Sequence, residues 1–117
     1  MMRDYDRITH ILWAIDDALE STDGIAKEDF MENKDKRAAA ERYVMIVGEA
    51  AHMVSENTKT RFPQIPWRDA NDMRNIVAHE YMQVDYEEVW KVVTIDFPAL
   101  EQQLLSIRKH FPPPPTS

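Results

Sequence analysis

The sequence contains no cysteine. That excludes a disulfide framework, Cys-ligated zinc, iron–sulfur clusters and thiol catalysis, and it fits a reducing compartment. It has only two glycines in 117 residues. So little punctuation disfavours hairpins and leaves no Gly-rich phosphate loop, so the chain is not itself a P-loop or Rossmann nucleotide binder. No apolar run exceeds five residues, far short of a membrane-spanning helix. The first ten residues, MMRDYDRITH, are charged and carry no export signal. A cytoplasmic protein without membrane contact is expected. There is no HExxH motif and no pair of histidines at metal-ligand spacing, so neither a bound metal nor another cofactor is expected.

A basic block is missing too. The chain has 14 Lys+Arg against 21 Asp+Glu, a formal charge of −7. The excess is spread along it: residues 1–61 hold 9 basic and 13 acidic groups, and residues 62–117 hold 5 and 8. Such a protein does not collect nucleic acid by bulk charge. Any action on nucleic acid must come from a local site, or from two copies combined.

What is present is helical periodicity. Ile8, Ile11, Leu12, Ile15 and Leu19 form one stripe of a 3.6-residue period, predicting a first helix over about 3–21. Gly24 is placed to end it in the left-handed region. Residues 25–35 read as a loop with one short helical turn around Phe30 and Met31. A second helix is expected over about 35–60, with a broad, small-residue face including Val44, Val47, Ala50 and Ala51. Gly48 costs that helix about 1 kcal/mol relative to Ala, which points to close approach by a neighbouring element. Phe62-Pro63-Gln64-Ile65-Pro66-Trp67 breaks the pattern. A third helix follows at about 67–81 and a fourth from Asp85, whose spacing to Glu88 is that of a capping box. Pro98 either kinks this helix or opens a fifth that runs to about 110. The expected architecture is an all-α up-down bundle of four to five helices in one domain, residues 1–111. Residues 112–117 are expected to form a disordered Pro-rich tail.

The densest polar constellation lies on the third helix. Arg68, Asp72, Asn75 and His79 fall at i, i+4, i+7 and i+11, one stripe of an ideal helix. At 100° per residue, Arg74 lies about 140° round from His79 but within about 20° of Tyr81. The set suits phosphodiester chemistry. His79 can exchange a proton near neutrality, Arg74 can fork onto a phosphate, and Asn75 can orient a ribose hydroxyl or the imidazole. With RNA the 2′-hydroxyl is an internal nucleophile and no metal is needed. The same residues also suit a solvated helix face, and spacing alone does not choose between the two. His10 and His52 read as structural histidines, His52 in the core, and His110 as solvated. Glu49 and Arg42, seven apart on the second helix, read as residues that form ion pairs inside the bundle.

The string Met73-Arg74-Asn75-Ile76-Val77-Ala78-His79-Glu80-Tyr81 resembles the Arg-x4-His-x-Tyr motif of the HepT-like toxin family in the HEPN superfamily. The similarity extends through Val47-Gly48-Glu49-Ala50-Ala51, Pro63-Gln64-Ile65-Pro66-Trp67 and Val89-Trp90 to Pro98-Ala99-Leu100. Glu80 departs from the Gly that many relatives carry between His and Tyr. The resemblance implies a helical homodimer whose motif helices line a composite cleft. It also implies a metal-independent endoribonuclease, the toxin of a type VII HEPN/MNT toxin–antitoxin system. The implied substrate is RNA, with tRNA among the candidates. The implied partner is a minimal nucleotidyltransferase antitoxin that transfers AMP to the motif tyrosine. On this chain the catalytic pair is then Arg74 and His79, Asn75 assists, and Tyr81 accepts AMP. The competing expectation is a non-catalytic HEPN module that only binds a nucleotidyltransferase or a nucleotide.

Overall fold

A computed structural model describes residues 3–77 and 84–111. The periodic stripes become helices. Helix α1 spans Asp4–Thr22 and buries Ile8, Ile11, Leu12, Ile15 and Ala18. It ends where expected, with Gly24 at φ 75°. The short turn is α2, Lys27–Glu32, whose single buried residue is Phe30. The Phe30 ring packs at 5.0 Å from that of Trp90.

Helix α3 spans Lys34–Met53 and is held at its start by Asn33, whose side chain accepts from the Lys36 amide. It stops earlier than the composition suggests. Val54 is extended, and a separate helix α4 covers Glu56–Arg61, with Ser55 as its N-cap. The reason is tertiary. Asp4 at the start of α1 accepts hydrogen bonds from the Ser55 amide (3.1 Å), the Ser55 hydroxyl and the Thr58 hydroxyl. These bonds reward a chain break at Ser55 that local propensity does not encode. Burial alone would raise the Asp4 pKa. The donated bonds from Ser55 and Thr58 and the Arg7 charge outweigh it and hold the carboxyl below its ordinary value.

Helix α5, Trp67–Asp72, starts directly after Pro66, and the Trp67 indole N–H donates to the Phe62 carbonyl at 2.9 Å. It then tightens into a 3₁₀ turn, Met73–Ile76. The start of the motif is therefore not an ideal α-helix, and the 100° arithmetic does not hold over Met73–Ile76. Helix α6, Tyr86–Lys91, is capped by Asp85, which accepts from the Glu87 and Glu88 amides at 3.0 and 3.3 Å. A π turn, Val92–Asp96, joins it to helix α7, Phe97–Arg108. Pro98 lies in the first turn of α7. A proline there lacks an N–H and crowds the carbonyl four residues back, and the wider π turn just before it relieves that crowding.

The fold is thus all-α. The core joins Ile8, Ile11 and Ile15 of α1 to Val44 and Val47 of α3 and to Leu100, Leu104 and Ile107 of α7. No helix among the described residues is long and apolar enough to cross a membrane. The polyproline tail, expected to be disordered, lies outside the described residues.

Helices α1 and α7 also meet at Asp16 and Glu101. A hydrogen bond between the two carboxyls, partial burial and the Asp16 charge together raise the Glu101 pKa to about 7. A raised carboxyl pKa means that the folded state holds the proton more tightly than the unfolded chain. Its contribution is fully present at low pH and is lost as pH rises through about 7. Glu101→Gln keeps a donor for Asp16 and removes the repulsion. Thermal unfolding is expected to show a higher Tm for this variant at pH 8 and almost none of that gain at pH 5. A gain of equal size at both pH values would show that repulsion between these carboxylates is not the cause.

Candidate active site

The 3₁₀ turn Met73–Ile76 is pressed against the middle of α3. A Cβ built on Gly48 would lie 2.6 Å from the Arg74 Cβ and 2.8 Å from its backbone nitrogen. Only glycine lets the two backbones come this close. The expected close approach is therefore found, and what approaches is the backbone of the motif arginine itself.

From that seat Arg74 reaches back over α3. Its Nη1 donates to Glu49 Oε1 at 3.2 Å, and its Nη2 lies 3.5 Å from His52 Nδ1. The ion pair is partly open to solvent, with side-chain exposures of 26% for Arg74 and 55% for Glu49. Glu49 is thus ion-paired to Arg74, 25 residues away. Arg42 lines a groove between α1 and α3.

His52 departs from expectation. It is exposed on the last turn of α3 and belongs to the Arg74 cluster, not to the core. Its Nδ1 lies 2.9 Å from Asn71 Oδ1, and Asn71 Nδ2 donates to Asp72 Oδ1 at 3.1 Å. The His52 carbonyl accepts from Lys59 Nζ at 3.3 Å, a cation closing the C-terminal end of α3. Sequence reasoning missed this group because α3 and α5 come together only through the fold. The available signal was the spacing of Gly48, Glu49 and His52, which puts them on adjoining turns of α3.

The remaining predicted residues divide clearly. Asn75 sits in the 3₁₀ turn and is exposed. Arg68 is exposed on α5. His79 and Tyr81 lie outside the described residues, as does Glu80. His10 stacks on Trp13 at 5.7 Å, and exposed His110 lies 5.6 Å from the Phe62 ring. Among the described residues, no group of three or more His, Asp or Glu side chains is arranged to hold a metal ion.

An arginine seated on a glycine, steered by a carboxylate and lying beside an imidazole, is an arrangement able to grip a phosphate near a proton carrier. The model of the family described as "Ribonuclease HepT-like" matches residues 11–107. The chain belongs to the HepT-like ribonuclease family. A protein of Thermococcus cleftensis named "Probable ribonuclease HepT" is 36% identical over 104 residues, covering 89% of this chain and 94% of its own length. A Methanocaldococcus jannaschii protein named "Putative RNase MJ1380" is 34% identical over 94 residues, covering 80% of this chain and 86% of its own length. No solved structure gives a significant match. The family model and both relatives extend over α3 and the 3₁₀ turn, so Gly48, Glu49, His52 and Arg74 fall inside the matched region.

Proposed function

We propose that this protein is a metal-independent endoribonuclease, the toxin of a type VII HEPN/MNT toxin–antitoxin pair, acting in the cytoplasm as a homodimer. The observation that carries this reading is the Arg74 seat: a HepT-like chain spends a glycine inside α3 to hold one guanidinium beside Glu49 and His52. Nη1 is engaged by Glu49, which leaves Nη2 and its two hydrogens for a phosphate oxygen. Arg74 then stabilises the charge that develops on the phosphorane, as fixed cations do for transferring phosphoryl groups. His79, five residues on, exchanges protons with the 2′-hydroxyl or the leaving 5′-oxygen. Asn75 contacts the ribose or orients the imidazole.

An exposed apolar face beside this site supports the homodimer reading. Trp13 and Met53 are 61% and 52% exposed. Met53 also lines the α1–α3 groove, of about 350 Å³, together with His10, Met45 and Ile46. Glu49 borders the same groove. A partner seated on this apolar face would bring its own Arg74 region towards the first. Two Arg74 guanidiniums in one cleft would make a local positive site within a dimer whose net charge is twice the −7 of one copy.

The partner class is a minimal nucleotidyltransferase antitoxin that neutralises the toxin by transferring AMP to the Tyr81 hydroxyl. An AMP group adds both volume and negative charge where RNA must bind.

The test uses the purified protein, RNA and EDTA. Cleavage that continues in EDTA and leaves 2′,3′-cyclic phosphate ends is the expected result, and cleavage that stops with the chelator would end the metal-independent reading. Intact RNA together with a stable nucleotidyltransferase complex would select the non-catalytic module instead, a reading that Glu80 and the net charge favour. After incubation with ATP and the antitoxin, mass spectrometry should find AMP on Tyr81. Equal labelling of Tyr81→Phe would rule that site out.

A further inference from the structure

The orientation of His52 is fixed by a chain of bonds that starts at Asp72. A carboxylate only accepts hydrogen bonds, so the Asn71 group facing Asp72 Oδ1 at 3.1 Å is the amide NH₂. The Asn71 oxygen is then the group facing His52 Nδ1 at 2.9 Å. An amide oxygen also only accepts, so Nδ1 carries the hydrogen. Neutral imidazole holds one N–H, which leaves the lone pair on Nε2. The 3.5 Å approach of Arg74 Nη2 to Nδ1 is therefore a contact between two donors and not a hydrogen bond. Nη2 keeps its hydrogens for an incoming anion. Among the described residues Nε2 has no hydrogen-bond partner, and the ring is exposed.

We infer that His52 is a second proton-transfer residue of the active site, the base that takes the ribose 2′-hydroxyl proton on Nε2 when a phosphodiester is held on Arg74. The inference rests on the ribonuclease reading and assigns a role within it. A phosphate oxygen bonded to Nη2 sits at about 2.8 Å from that nitrogen, and Nη2 itself lies 3.5 Å from the His52 ring at Nδ1, so the phosphate and the imidazole would be neighbours. In the step, Nε2 takes the 2′-O–H proton while the 2′-oxygen forms its bond to phosphorus. The bond from phosphorus to the 5′-oxygen breaks, and that oxygen leaves with a proton from the imidazolium of His79. The products are a 2′,3′-cyclic phosphate and a 5′-hydroxyl, with no oxidant or further reactant. Asp72 and Asn71 are positioning residues: they fix which ring nitrogen is the base. Glu49 acts likewise on Arg74.

His52 is exposed, so His52→Gln is expected to fold as the parent does, which its thermal unfolding checks. Single-turnover cleavage of an RNA oligonucleotide in EDTA should fall about 100-fold, with the Kd for a non-cleavable 2′-deoxy analogue within about threefold of the parent. The limb of the pH–rate profile that reports the base should disappear. A second measurement needs no activity. The ¹⁵N spectrum of the histidine rings should show His52 with its proton on Nδ1, and Asn71→Ala should release it to the Nε2–H form while the protein stays folded. Parent protein that cleaves RNA equally well as His52→Gln overturns the assignment but leaves the ribonuclease reading intact. So does a spectrum with the His52 proton on Nε2. A parent that leaves RNA intact overturns both.

Discussion

Arg74→Ala and His79→Ala are each expected to lower single-turnover RNA cleavage in EDTA by about 100-fold or more, the scale of losing one fixed charge donor or one proton carrier at a phosphoryl transition state. For Arg74 the loss should not come from unfolding. Its ion pair with Glu49 is partly solvated, and pairs of this kind contribute about 0–1 kcal/mol. Water takes the place of the guanidinium on a carboxylate that is already more than half exposed. Arg74→Lys separates shape from charge. The guanidinium uses one nitrogen on Glu49 and turns the other towards His52. A single ammonium cannot keep the carboxylate contact and grip a phosphate oxygen in the same geometry. Lysine should therefore recover little, with a rate at least about tenfold below the parent. Circular dichroism at the assay temperature checks that each variant keeps its helices. Cleavage by Arg74→Ala within threefold of the parent would remove this arginine from the mechanism.

The parts of the fold that depend on local chemistry were legible in the sequence. The Ile8–Ile15 stripe, the left-handed Gly24, the buried Phe30 turn and the Asp85 cap all appear where spacing put them. The parts that depend on contacts between distant residues were not. The break at Ser55 is made by Asp4, 51 residues away. The 3₁₀ tightening at Met73–Ile76 accompanies the pressing of Arg74 onto Gly48. That distortion removes the ideal helix on which Asn75 was placed in one stripe with Arg68 and Asp72, while His79 lies outside the described residues. The site followed the same division. Arg74 was identifiable from its motif, but its partners were not. Glu49 was readable as a member of an ion pair, but spacing along α3 did not name Arg74 as its partner. His52 stood between Ala51 and Met53, which suggested burial, whereas the end of α3 leaves it exposed beside Asn71.

Gly48→Ala should produce the largest effect of any single added methyl group, on stability and on rate together. Two terms oppose each other. Alanine is the better helix former by about 1 kcal/mol. Against that, its Cβ would sit 2.6 Å from the Arg74 Cβ, 2.8 Å from its nitrogen and 3.1 Å from its Cα. These atoms lie on or next to the backbone of the 3₁₀ turn and cannot swing aside like the end of a long side chain. Overpacking of this kind costs about 1–3 kcal/mol, and contacts this short belong at the upper end. The net loss is then about 1–2 kcal/mol, read as a Tm lower by roughly 5–10 °C for a domain of this size. To make room, the turn must move away from α3 and carry Arg74 off Glu49 and His52. A shift near 1 Å at a positioned group costs up to about 100-fold in rate, so cleavage should fall at least tenfold even well below the new Tm. Gly24→Ala is the control. Nothing lies within 4 Å of its added Cβ, and only its φ of +75° is strained. It should lose about 1 kcal/mol and keep the parent's rate. A Gly48→Ala protein as stable and as active as the parent would mean that the α3 backbone and the Arg74 turn do not touch, and with that contact would go the seat on which Arg74 rests.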